Sequence, residues 1–302
     1  MLSRRTFLTT GAAAATAGLA CAGYATVVEP HWLELVEHDL PIDQLPAGLD
    51  GVRLAQVSDI HVGPSVSDEY LIESLDRLRG YRPDIVVVTG DFISYRAPRR
   101  DEQFARLREL LPHLPAGRLG TFGILGNHDY GVGWSEAQVA ARVVAEAGRA
   151  GIHMLRNESH VVSGLELIGV DDLWAKQARP LTAQRGRTSD AALVLVHNPD
   201  TADTHPWGDY RGWMLAGHTH GGQCKPPFLP PPILPVQNRR YAAGEVTVDD
   251  QRTLYINRGL GHLIRARFNV RPEVTLFTLR RAPGDRLDSR LRQVMPPVAS
   301  SG

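Results

Sequence analysis

The chain is expected to fold as an α/β protein, a four-layer α/β/β/α sandwich, and two features of its 302 residues predict this. Strand and helix patterns alternate through the first half, while short strands follow one another through the second. In addition, five apolar, β-branched runs each end in a polar turn. The turns are Asp59-Ile60-His61 after 52–57, Gly90-Asp91 after 85–89, Gly126-Asn127-His128-Asp129 after 120–125, His197-Asn198 after 192–196, and Gly217-His218-Thr219-His220 after 213–216. A strand that ends in a polar turn delivers side chains to the carboxyl edge of a sheet, where open α/β sheets hold their ligands.

The elements follow in order. Residues 32–40 alternate apolar and polar side chains and predict an edge strand. Residues 52–57 form the first core strand. Ser67 caps a helix whose Leu71, Leu75 and Leu78 fall at helical spacing, and Gly80 stops it. Residues 84–89 form a buried strand, and Asp101 opens a second helix with Phe104, Leu107, Leu110 and Leu111 facing inward. Residues 121–125 give the third strand. Ser135 and Gln138 form a capping box for a helix that runs to about Ala147 and closes at Gly148. Short strands at 161–162 and 165–170 continue the sheet system, and 191–196 and 212–215 precede the last two polar turns. Residues 241–248, 253–257 and 273–279 pattern as antiparallel strands. The tail 282–302, rich in Pro, Gly, Ser and charge without periodicity, is expected to be disordered.

The bulk numbers bound the function. About 250 residues suffice for a single large α/β unit, taken as residues 26–281. Lys+Arg and Asp+Glu are both 33, and without Arg4 and Arg5 the balance is 31 against 33. Such neutrality argues against nucleic-acid partners, which need a basic surface. Of two cysteines, Cys21 lies in the amino-terminal stretch and Cys224 in the body, so the body forms no intrachain disulfide. Cys224 is expected to be a small, partly buried residue.

Taken together, the turns read D-x-H, G-D, G-N-H-D, a lone H, and G-H-T-H over residues 59–220. One such motif is weak; five in fixed order, each after an apolar strand, are specific. The set resembles the calcineurin-like metallophosphoesterase family, and 217–223 with 239–244 resemble its exported bacterial branch, including enzymes similar to UDP-2,3-diacylglucosamine pyrophosphatases. Many members have a second Asp three residues after the G-D, where this chain has Ser94. The resemblance implies the same four-layer fold and two divalent metal ions. Asp91 would bridge them, with Asp59, His61 and His220 completing one site and Asn127, His197 and His218 the other. His128 would face the substrate and protonate the leaving oxygen, with Asp129 orienting its imidazole. Hard oxygen and imidazole donors without thiolate suit Mn²⁺ best, with Fe or Zn²⁺ next. Two such ions neutralise the anionic phosphate and lower the pKa of a bridging water, whose hydroxide attacks phosphorus in line.

Residues 1–25 begin Ser3-Arg4-Arg5-Thr6-Phe7-Leu8 and continue into an Ala-rich stretch. They resemble a twin-arginine signal, which implies the twin-arginine translocase as a partner and a periplasmic or extracytoplasmic location. The segment is cleaved near 20–25 or kept as an anchor. The implied activity is that of a phosphodiesterase or pyrophosphatase acting outside the cytoplasm, on a phosphoester that is lipid-linked in some relatives. A metal-binding envelope protein without turnover and a protein phosphatase are the alternatives; an intact His128 disfavours the first.

Several features stay outside the motifs. His31, His38, His113, His153, His160, His205 and His262 are expected to be surface or core residues, with His205 the nearest to a site strand. Arg258 and Arg267 follow a late strand and could clamp phosphate. Residues 226–235, Pro-Pro-Phe-Leu-Pro-Pro-Pro-Ile-Leu-Pro, are either a rigid loop packed on the body or an apolar lip that touches an acyl chain or the bilayer.

Overall fold

The computed structural model describes residues 4–95 and 100–282. The tail expected to be disordered lies, from residue 283 onward, outside the described residues. Two six-stranded mixed sheets carry the fold. The first is ordered β1 (Glu34–Ile42), β12 (Glu273–Arg281), β2 (Arg53–Val57), β3 (Ile85–Thr89), β4 (Gly120–Ile124) and β5 (His153–Met154). The second is ordered β10 (Gly244–Thr247), β11 (Arg252–Ile256), β9 (Gly212–Ala216), β8 (Ala192–Leu195), β7 (Leu165–Gly169) and β6 (Glu158–Val162).

Strand alternation sorts the apolar residues into three cores. Leu54, Ile85, Val87, Phe122 and Ile124 face the second sheet and meet Leu167, Leu193, Leu195 and Leu215 from it. Their neighbours Ala55, Val57, Val86 and Val88 face outward onto helices α2 (Asp68–Arg79), α3 (Arg100–Leu110) and α4 (Ala137–Arg149). On the far side Ile168, Ala192, Val194, Met214, Leu254 and Ile256 pack with Trp207, Tyr210 and Tyr241. All five residues of β3 are buried. Its four apolar side chains each contribute about 1.5–3 kcal/mol of burial, which fixes the central strand in register. The fourth layer is thin: α5 (Pro180–Ala183) and α6 (Thr201–Thr204) are single turns, and loops cover the rest.

Ser67 caps α2 as expected, its Oγ accepting the N–H of Tyr70 at 3.3 Å. The capping box at Ser135 does not form. Glu136 occupies the N-cap position, and no side chain caps α4. Glu136 instead closes the preceding turn, donating its N–H to the Tyr130 carbonyl (2.7 Å) and accepting that of Val132 (3.0 Å). The helix also runs past Gly148 to Arg149, with Gly151 supplying the left-handed exit at φ 80°. The late strands are not all antiparallel. β11 pairs β9 in parallel, and β12 leaves the second sheet to join the first, parallel to β1 and antiparallel to β2. Within 241–248 only Gly244–Thr247 is strand.

The amino terminus is helical. α1 (Arg4–Gly23) continues through a π-helical turn, Tyr24–Val28, and a 3-10 turn, Glu29–His31. Thr9–His31 is long and apolar enough to cross a membrane, as a signal sequence also is, and its apolar window has no residue buried in the body.

Candidate metal centre

The parallel strands β2, β3 and β4 of one sheet and β8 and β9 of the other end at the same place. Their loops are tied together by backbone. Asp59 N donates to Gly90 O (3.0 Å), His61 N to Asp91 O (3.0 Å) and Gly217 N to His197 O (3.0 Å). Gln56 joins the sheets from below, its Nε2 donating to Thr89 Oγ1 (3.0 Å) and Ala216 O (2.9 Å).

The described residues contain two buried groups of three candidate ligands, Asp59/His61/His220 and Asp91/His197/His218. Within the first, His61 Nε2 lies 3.0 Å from His220 Nε2, and His220 Nε2 lies 3.3 Å from Asp59 Oδ1. Within the second, His197 Nε2 lies 3.2 Å from Asp91 Oδ2 and 3.3 Å from His218 Nδ1. Asp91 Oδ2 is also 3.5 Å from His61 Nε2, so one carboxylate oxygen stands between the groups. Asn127 Oδ1 sits 3.2 Å from His197 Nε2, and its Nδ2 is buried without a partner. All seven residues expected as ligands are therefore brought together.

Second contacts orient the rings. His197 Nδ1 donates to Thr89 O (2.8 Å) and His218 Nε2 to Pro235 O (2.9 Å), which turns His197 Nε2 and His218 Nδ1 inward. Ser58 Oγ donates to Asp59 Oδ2 (2.6 Å), and the N–H of His218 lies 3.0 Å from the same oxygen. Gly126 is required by crowding: a Cβ there would fall 2.3 Å from Asp91 Oδ1. Gly90, at φ 91°, is required by its backbone.

Burial sets most of the charge states. It pushes the imidazoles of His61 and His218 down to about 3. It also holds His220 well below its ordinary range, with His61 and the Arg267 guanidinium adding to the effect. Burial opposes charge on His197 too, but the carboxylates of Asp91, Asp59 and Asp172 outweigh it and hold that imidazole well above its usual value. Asp91 is the counterpart: burial opposes its charge, and His197, His128 and His61 overcome this. Asp59 rises to about 6 through burial and repulsion from Asp91, against the pull of His197. The neutral rings of His61 and His220, whose Nε2 atoms lie 3.0 Å apart, fit a cation placed between them.

His128 is half-exposed, its ring centroid lies 5.1 Å from that of His61 with the two planes nearly perpendicular, and its backbone N–H donates to Asp91 Oδ1 (2.9 Å). Asp129 serves the main chain. Its Oδ2 accepts the N–H of Gly126 (2.9 Å) and its Oδ1 that of Ile93 (3.3 Å). Through these contacts it holds the loop that carries Asn127 and His128.

The two late arginines do not form a phosphate clamp. Arg258 pairs with Glu273 and with Glu34 (3.0 Å). Arg267 is fully buried and donates to the carbonyls of Arg258 (3.0 Å), Gly259 (3.1 Å) and Gly261 (2.6 Å). His205 contacts Thr204 Oγ1 (3.1 Å) and belongs to neither ligand group. Cys224 is half-buried, as expected.

Asp172 escaped the sequence analysis. It follows β7 as the other site residues follow their strands, it is 1% exposed, and one of its oxygens has no partner. Burial raises its carboxyl to about 7. The acidic pair Asp171-Asp172 after an apolar strand was the available signal. Trp174, two residues on, sets its ring 4.4 Å from that of His218 and 4.5 Å from Trp134.

Comparison with known proteins agrees with this geometry. Residues 52–222 match the calcineurin-like phosphoesterase family model. Over 92% of this chain and the whole of the other, the sequence is 33% identical to "Phosphodiesterase YaeI" of Escherichia coli. It is 34% identical to an uncharacterized metallophosphoesterase, YkuE, of Bacillus subtilis over 92% of this chain and 98% of that one. It is 28% identical to "UDP-2,3-diacylglucosamine pyrophosphatase LpxG" of Chlamydia muridarum over 84% of this chain and 91% of that one. With its ligand groups at the shared carboxyl edge of two sheets, the chain belongs to the calcineurin-like phosphoesterase family and is a metal-dependent phosphoric ester hydrolase.

Proposed function

We propose that the enzyme is a phosphodiesterase or pyrophosphatase acting outside the cytoplasm on a lipid-linked phosphoester, with two manganese ions. The observation that carries this is Asp91 Oδ2 standing between two ligand groups made of oxygen and imidazole donors. Asp59, His61 and His220 would hold one cation, Asn127, His197 and His218 the other, and Asp91 both. When bound, the cations neutralise the phosphate and acidify a water. The chain's own part is to fix the donors, exclude bulk water from them, and place the His128 imidazole where it can give a proton to the leaving oxygen. The relatives named as a phosphodiesterase and as a pyrophosphatase of a diacylated sugar nucleotide support the substrate class.

Chelator treatment is expected to abolish hydrolysis, and Mn²⁺ to restore more of it than Zn²⁺ or Mg²⁺. The assay is a panel of a phosphodiester, a phosphomonoester and a nucleotide-diphosphate lipid, with metal content measured in parallel. Full activity in metal-free protein would overturn the two-cation mechanism, and preference for the monoester would overturn the substrate class.

Export rests on the paired Arg4 and Arg5 before an apolar helix that the body does not bury. Replacing both by Lys is expected to hold the folded protein in the cytoplasm, as read by cell fractionation. Unchanged export would reject the twin-arginine route.

A further inference from the structure

The 226–235 segment is not a loop packed on the body throughout. Pro231 and Leu234 are buried and anchor it, while Phe228, Leu229 and Ile233 are 104%, 59% and 77% exposed. Ile264, from the facing loop, is 69% exposed. The two loops are one surface: Gln223 Nε2 donates to the carbonyls of Ile264 (3.0 Å) and Ala266 (2.9 Å), and Lys225 N donates to Phe268 O (2.8 Å). The lip also stands on the metal centre, because His218 donates to its Pro235 carbonyl (2.9 Å) and Gly222 abuts Pro231.

Three further properties point to what covers it. Phe228 has φ 65°, a conformation that costs a bulky residue of the order of 1–3 kcal/mol, yet its ring is fully exposed. Six of the ten residues are proline, so the segment carries few N–H donors that an apolar medium would leave unpaired. Residues 224–241 and 262–272 contain no acid, and Lys225, Arg239, Arg240 and Arg265 are exposed among them.

The apolar amino-terminal helix leaves the body at this same place. Arg267 N donates to Ala25 O (2.8 Å), Val270 N to Glu29 Oε1 (2.5 Å), and the Tyr24 ring meets Phe268 edge-on at 6.4 Å. The Thr9–His31 helix matches the ~30 Å hydrocarbon thickness of a bilayer.

We infer that Phe228, Leu229, Ile233 and Ile264 form a docking surface for a lipid bilayer with anionic headgroups, beside the point where the amino-terminal helix enters it. The exposed basic residues meet the headgroups, and the apolar tips reach the acyl boundary. The metal centre at the foot of the lip then faces the membrane surface. Docking stands on its own; that the scissile phosphate belongs to a lipid rests on the proposed function.

The test uses the full chain reconstituted in vesicles of phosphatidylcholine and phosphatidylglycerol with brominated acyl chains. The Phe228→Trp variant is expected to add a blue-shifted emission, relative to wild type, that the brominated lipid quenches. Val161→Trp, on edge strand β6, is expected to add emission that it does not quench. An unquenched, water-like signal from Phe228→Trp overturns docking. In parallel, Phe228→Ser with Ile264→Ser is expected to leave hydrolysis of a soluble phosphodiester within about twofold. It should slow hydrolysis of a vesicle-borne one by roughly tenfold or more, the scale of losing one buried apolar side chain. Equal slowing on both substrates overturns the lip as a membrane contact. If wild type cleaves neither substrate, the proposed function fails while the quenching result still decides docking.

Discussion

Asp91→Asn is expected to empty the centre. The substitution keeps the shape of the side chain, including an oxygen able to accept the His128 N–H, and removes only the charge. Asp91 Oδ2 is the atom shared between the groups, at 3.5 Å from His61 Nε2 and 3.2 Å from His197 Nε2. One unit charge about 4 Å from another contributes about 4 kcal/mol at an effective dielectric constant of about 20, or about a thousandfold in affinity for each cation. Two cations held close without an anion between them also repel each other. Metal content by elemental analysis should fall from two ions per chain to less than one, and phosphodiester hydrolysis should fall by at least ~10³-fold. A variant that keeps two ions and a near-normal rate would place the bridge elsewhere.

His128→Ala is expected to do the opposite: keep the metals and lose the rate. His128 is half-exposed, its ring stands nearly perpendicular to that of His61, and it belongs to neither ligand group. Removing the ring leaves both ligand groups whole. A general acid contributes about 10²–10⁴-fold, and the loss should appear in kcat with KM little changed. The loss should be largest for substrates with poor leaving groups, because a nitrophenolate leaves without a proton. If His128→Ala strips a metal, His128 is a ligand and the separation of roles fails.

The centre was legible because each strand announces its own end. β3 is four buried apolar residues and a buried Thr89 followed by Gly90-Asp91, and the change from apolar to polar marks the sheet edge directly. Less was legible where neighbours decide. Asp171-Asp172 follow their strand in the same way but match no motif, and only the fold shows Asp172 lying close enough to His197 to affect it. β5 is two residues long and exists because it adds to β4, which no periodicity in the sequence can report. The Ser135 cap lost to Glu136 because that residue's backbone and side chain both close the turn before the helix, a competition between two local hydrogen-bond patterns. β12 returns to the first sheet through pairing with β1, more than two hundred residues earlier, and alternation within a strand says nothing about its partner.

The Asp59-x-His61 and His218-x-His220 turns share a backbone conformation with Asp91. Asp59, His61, Asp91, His218 and His220 all have positive φ, between 50° and 72°. Among residues with a side chain, Asp, Asn and His are those that enter this region most readily, whereas β-branched and bulky residues resist it. Each of these five positions is therefore selected twice, once by the cation and once by the peptide bond. Reprogramming the centre for a softer metal by installing Cys, or enlarging its charge with Glu, would meet the main chain before it met the ion. Exchanges within Asp, Asn and His should be accommodated by the backbone whatever they do to affinity. The vocabulary of this centre is as much a property of its turns as of its chemistry.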